Sequence, residues 1–168
     1  MQTATLPIPA AAGTAPLIDI HVFGTPRPKG SLRHVGNGRM VEQLKHSPDW
    51  RRAVVEDAHK AIACVCGDPD CHTLLPGYPF EGAVEVLISL YFAKPKSAPK
   101  TRPILPTSRA TGDADKHARN IFDALQDAGV IKDDSQVVDH HVSKRYCRPG
   151  ETPGARIAVR PVDPEVAR

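Results

Sequence analysis

At 168 residues the chain has room for one ordinary domain and not for two well-built ones. Lys and Arg number 22 against 19 Asp and Glu, a net +3 that permits an anionic partner without demanding one. With 40 % hydrophobic and 24 % charged residues the chain is not wholesale disordered, and no apolar run approaches the roughly 20 residues of a membrane span. The 17 prolines and 12 glycines point to short elements joined by long loops. Four cysteines are too few for a disulfide scaffold, so a reducing, cytoplasmic setting is expected.

Residues 1–16 are uncharged and rich in Ala, Thr and Pro, and they read as a flexible leader to a single domain over 17–168. A leader that lacks a basic start and is broken by Pro7, Pro9 and Pro16 does not read as a signal peptide. Leu17 to Phe23 alternates as a first strand and ends in the basic turn Gly24-Thr25-Pro26-Arg27-Pro28-Lys29-Gly30. The stretch from there to His46 shows no period and is assigned to loop. Ser47 as cap, Pro48 in the first turn and Asp49 on the dipole announce a helix whose apolar stripe is Trp50, Val54, Ala58, Ala61 and Ile62.

The cysteine-bearing segment from Cys64 to Pro79 reads as loop. Ala83 to Phe92 is the clearest strand, with Val84, Val86, Ile88, Leu90 and Phe92 on one face. Lys94 to Ala110 is a long basic, proline-rich loop of a length that usually has a functional reason. A second helix places Ala118, Ile121, Phe122 and Leu125 on one stripe and ends at Gly129. Strands near Gln136–Tyr146 and Ala155–Val162 complete the order β-α-β-α-β-β. That order predicts an α+β fold, a mixed sheet with helices packed on it.

The chemistry concentrates between Thr111 and Asp134. Asp113 and Asp115 stand two apart before the second helix, a spacing that points both carboxylates the same way in extended backbone. Two such charges repel unless a cation lies between them, and Mg²⁺ uses few carboxylates where phosphate completes its shell. Asp133-Asp134, beyond the helix, can fold back to add a third carboxylate. Arg119, one turn on from Asp115, shares its face, and Asp123 extends the polar stripe. Taken singly, Asp-x-Asp before a helix is commonly capping and Asp-Asp commonly a turn. The setting argues for more. Lys94, Lys96, Lys100, Arg102, Arg109, Lys116 and Arg119 face two acids, a local excess of five against +3 for the whole chain. Acids in a basic field suit a metal site that meets a polyanion.

The block Asp113-x-Asp115-x-x-x-Arg119-x-x-x-Asp123-Ala124-Leu125, then Gly129, Asp133-Asp134 and Gln136-Val137-Val138-Asp139, resembles the RusA family of Holliday-junction resolvases. That family's usual pattern is Asp-x-Asp-Asn-x-x-Lys, a helix carrying Asp-Ala-Leu, then Asp-Asp-x-Gln-Val. The resemblance is close over about Asp113 to Lys144. It implies a Mg²⁺-dependent, homodimeric endonuclease, of a type found in phages and prophages, that resolves four-way DNA by paired nicks in recombination and repair. It further implies that Asp113, Asp115 and Asp134 hold one or two Mg²⁺ ions, that Arg119 takes the place of the catalytic Lys, and that Asp123 and Asp133 support them. Lys116 stands where the family has Asn. An Arg in place of Lys keeps its charge but does not easily shuttle a proton. Lys94, Lys96, Lys100, Arg102, Arg109, Lys116, Lys132, Lys144 and Arg145 are candidates for flanking phosphates.

Cys64, Cys66, Cys71 and His72 pack four soft ligands into nine residues, although structural Zn²⁺ sites usually draw two pairs from separated segments. A Zn²⁺ site, reduced thiols and a local disulfide all remain open there. Trp50 reads as core, and His140-His141 points to opposite faces of a strand. Two other functions fit the sequence. One is a non-catalytic protein that binds branched DNA on the same scaffold, and the other is a Zn²⁺-stapled protein-interaction domain whose acids merely cap.

Overall fold

The computed structural model describes residues 17–30, 32–34, 36–42, 46–64, 73–99, 102–163 and 165. The expected leader, together with Cys66, Cys71, His72 and Lys100, lies outside the described residues. A four-stranded sheet runs in the order β1-β6-β4-β5, from β1 (Ile18–Phe23), β4 (Val84–Phe92), β5 (Val137–Tyr146) and β6 (Gly154–Pro161). The β4–β5 pair is parallel and the other two pairs are antiparallel, so the sheet is mixed. Parallel neighbours cannot be joined by a tight hairpin, and the β4-to-β5 crossover carries α2 (Ala114–Asp127).

Alternation decides which face is buried. Val84, Val86, Ile88, Leu90 and Phe92 are buried from β4, and Ile18, Ile20 and Val22 from β1. Onto that face pack α1 (Ser47–Ile62), through Trp50, Val54, Ala58 and Ile62, and α2, through Ala118, Ile121, Ala124 and Leu125. The opposite face bears ion pairs instead: Arg156 with Asp19, Arg160 with Glu85, and Arg145 with Glu151. No helix among the described residues is long and apolar enough to cross a membrane.

Three local expectations are corrected. The loop before His46 contains a short hairpin, β2 (Leu32–His34) with β3 (Met40–Glu42). Three-residue strands are too short to show alternation. The sequence signal was the turn, where Gly36, Asn37 and Gly38 all take positive φ. Ser47 does not cap α1. His46 holds that position without a side-chain cap, while Ser47 is buried and its Oγ accepts from Asn120 Nδ2 at 3.2 Å. Ala61 is exposed, because the buried stripe advances in steps of four residues from Trp50 to Ile62 and leaves it at the edge.

The C-terminus of α2 follows its sequence signal. Gly129, at φ +78°, lets Val130 N–H reach the Leu125 carbonyl at 2.9 Å and its own N–H reach Gln126 at 3.0 Å, a Schellman ending. The chain then turns through Ile131, bridged to Phe80, toward the 3-10 turn Asp134–Gln136 and β5.

Candidate active site at the ends of helix α2

Asp113 occupies the N-cap position of α2, yet its side chain makes no cap hydrogen bond. Capping therefore does not explain it. Its carboxylate instead lies 3.1 Å from Lys116 Nζ, and that of Asp115 lies 2.9 Å from Arg119 Nη2. All four groups are substantially solvent-exposed, so each acid has a mobile internal cation that a metal or a phosphate can displace. No such contact holds Asp134, which is exposed and carries no ion pair among the described residues.

Asp133 is the acid that does cap. Its Oδ1 accepts from Ser135 N at 2.9 Å, and hydrogen bonding from the Ser135 side chain, with this N–H second, pulls its carboxyl below the ordinary range. Gln136 closes the box from the other side. Its Oε1 accepts from Lys132 N at 2.6 Å and Asp133 N at 3.1 Å, and its Nε2 donates to the carbonyls of Phe80 and Gly82, each at 2.8 Å. In the sequence Gln136 figures only as a motif position and a strand start; its amide ties the Asp133-Asp134 turn to the start of β4.

The two acidic groups stand at opposite ends of α2. Lys144, late in β5, reaches Gly112 just before the helix, whereas Asp134 precedes β5 and follows the helix end. A helix of 14 residues sets them on the order of 20 Å apart. Among the described residues no three His, Cys, Asp or Glu side chains gather closely enough to hold a metal ion. The expected fold-back of Asp134 onto Asp113 and Asp115 does not occur within one chain, because the Gln136 clamp holds that turn at the other end of the sheet.

Asp123 faces α1 and the basic turn. It lies 2.6 Å from Lys29 Nζ and 3.4 Å from Arg51 Nη1. That turn is docked on α2 by further contacts: Lys29 N donates to the Lys116 carbonyl at 3.0 Å, and Asn120 Nδ2 donates to the Arg27 carbonyl at 3.0 Å. Asn120 is the detectable signal here, a polar residue inside the apolar stripe.

Of the candidate phosphate contacts, Lys96, Arg102 and Arg109 are exposed and carry no ion pair among the described residues. Lys94 Nζ donates to the Pro99 carbonyl at 2.7 Å, and Lys132 pairs with Glu81. Arg145 is held by Glu151 and lies 4.1 Å over the Tyr91 ring on the helix-free face of the sheet, away from Asp113. Trp50 is core, as expected. His140 packs edge-on against Phe122 at 5.4 Å, while His141 points to the other face. Of the soft-ligand cluster only Cys64 is described, its N–H donating to the Thr73 carbonyl at 2.9 Å.

His117 is completely buried one turn into α2. Its Nε2 lies 2.8 Å from the Thr111 carbonyl, so that nitrogen carries the proton, and Nδ1 is left without a partner. Burial pushes its pKa down, with the Lys144 ammonium adding to the effect, so the ring is neutral at neutral pH.

Residues 23–160 match the family model described as Endodeoxyribonuclease RusA, a span that takes in both ends of α2. No curated protein matches the chain.

Proposed function

The chain belongs to the endodeoxyribonuclease RusA family, and from that premise we propose that it is a Mg²⁺-dependent resolvase that cuts four-way DNA by paired nicks as a homodimer. The observation that carries the reading is the exposed Asp113/Asp115 pair, unused for capping, inside the matched span. Two hard-oxygen ligands fit Mg²⁺, which commonly takes one or two carboxylates and completes its shell with water and phosphate. Since Asp134 cannot join them in one chain, a two-fold dimer that sets one copy's Asp134 against the other's Asp113 and Asp115 completes both sites at once.

When bound, a divalent ion supplies an acidified water and neutralises charge on the phosphate. The residues of the chain do the rest. Asp113 and Asp115 would hold the ion in place of Lys116 and Arg119, and both cations would then be free to face the phosphate. Arg119 keeps its charge through the reaction and stabilises the developing negative charge, while proton transfer falls to solvent. Lys96, Arg102 and Arg109 on the loop before Asp113 hold flanking phosphates.

Asp113→Asn and Asp115→Asn are tested on a synthetic four-way junction with Mg²⁺ and with EDTA. Nicking falls at least about 100-fold while junction binding stays within a few-fold. Unchanged nicking refutes the assignment, and a wild-type chain that binds without cutting makes it a branched-DNA-binding protein instead. Mixing Asp115→Asn chains with Asp134→Asn chains tests the shared site. A mixed dimer keeps one intact site and nicks one strand, whereas a site built within each chain stays dead.

A further inference from the structure

The backbone that delivers Asp113 is gripped from two elements. His117 of α2 donates to the Thr111 carbonyl at 2.8 Å, and Lys144 of β5 donates to the Gly112 carbonyl at 2.6 Å. These are the two consecutive carbonyls immediately before Asp113. Thr111 is itself buried, its Oγ1 2.9 Å from the Pro106 carbonyl and 2.8 Å from that of Ser108, so the turn is braced on its upstream side too. Such double capture leaves little freedom in the peptide whose rotation would swing the Asp113 carboxylate. It also uses Lys144, one of the cations that the sequence offers as a candidate phosphate contact.

We infer that His117 and Lys144 are positioning residues which fix the Thr111–Gly112 and Gly112–Asp113 peptides respectively and thereby aim Asp113, and that Lys144 makes no DNA contact. The inference rests on the nuclease reading of Asp113. Misplacing a reacting group by about 1 Å can cost on the order of 100-fold in rate, so the latch matters to chemistry far more than to binding.

The test compares Lys144→Met and His117→Leu, which remove the donors, with Lys144→Arg and His117→Gln, which retain one. Three quantities are read: junction affinity over a salt series, Mn²⁺ affinity of the DNA-free dimer, and single-turnover nicking at saturating junction. Lys144→Met and His117→Leu bind the junction within about threefold of wild type with the same salt slope. Their Mn²⁺ affinity falls about tenfold and their nicking about 10- to 100-fold, and both conservative variants recover most of each loss. Should His117→Leu fail to fold, the Lys144 pair decides alone. A Lys144→Met chain whose salt slope drops by about one, with nicking and Mn²⁺ affinity intact, makes Lys144 a phosphate contact and overturns the inference. Failure of the conservative variants to recover either loss overturns it as well. If the wild type does not nick, the nuclease reading fails, while the Mn²⁺ series still judges the latch.

Discussion

Gly112→Ala is the perturbation that most directly couples the fold to the site. Gly112 sits at φ +69°, ψ 173°, a region nearly reserved for glycine. A Cβ there would lie 2.6 Å from Pro28 Cγ, 3.0 Å from Pro28 Cβ and 3.2 Å from His117 Nε2. A rigid pyrrolidine ring cannot fold out of the way, and the His117 ring is buried. Backbone strain of about 1–3 kcal/mol and overpacking of about 1–3 kcal/mol together give roughly 4 kcal/mol. For a chain of this length that lowers Tm by about 10 °C. Urea unfolding measures the loss, and Gly150→Ala is the control, since Gly150 has φ +80° with nothing within 4 Å of its added Cβ. The control carries a positive-φ position without the clash. If Gly112→Ala costs no more than Gly150→Ala, the Pro28 contact is not a constraint and the braced turn is not rigid.

Gln136→Ala removes an amide engaged with four backbone groups and lowers unfolding free energy by about 2–3 kcal/mol, measured by denaturant titration. A loss under about 0.5 kcal/mol would show that the Asp133-Asp134 turn holds itself. Arg145 holds the carboxyl of Glu151 down at about 2 against an ordinary 4.5. Because the folded-state pKa is the depressed one, this stability is present above pH 4.5 and drains away as pH falls toward 2. After allowance for partial exposure it amounts to about 1–2 kcal/mol. Urea unfolding between pH 6 and about 2.5 should show wild type losing more than Glu151→Gln; parallel curves would contradict the pairing. Arg119→Ala loses about 100-fold in nicking, whereas Arg119→Lys, which keeps a cation over Asp115, retains most of it. Equal losses in both would make the guanidinium fork itself indispensable.

Much of the fold was written in one-dimensional pattern. The β4 alternation, the α2 stripe and the Gly129 stop are local properties, and each reappears in the structure because a sheet face or a helix stripe has only one apolar side to bury. Residue types and spacing also isolated Asp113, Asp115 and Arg119, whose mutual geometry is set within a single helical turn. Other features depend on which distant segments meet. Asn120 stands out along the chain as a polar residue in an apolar stripe, but its partners, those of Lys29 and those of the Gln136 Nε2 lie where no local spacing brings them near. Lys144 reads as one more surface cation until strand pairing carries it to the Gly112 carbonyl. Asp134 reads as a neighbour of Asp113 until the 14-residue helix between them and the Gln136 clamp beyond it are seen. Sequence determined which groups are chemically able to act, since that is a matter of side-chain type and local period. Only the tertiary structure decided which of them stand together, because proximity across a sheet is set by strand register and by the rigid length of α2.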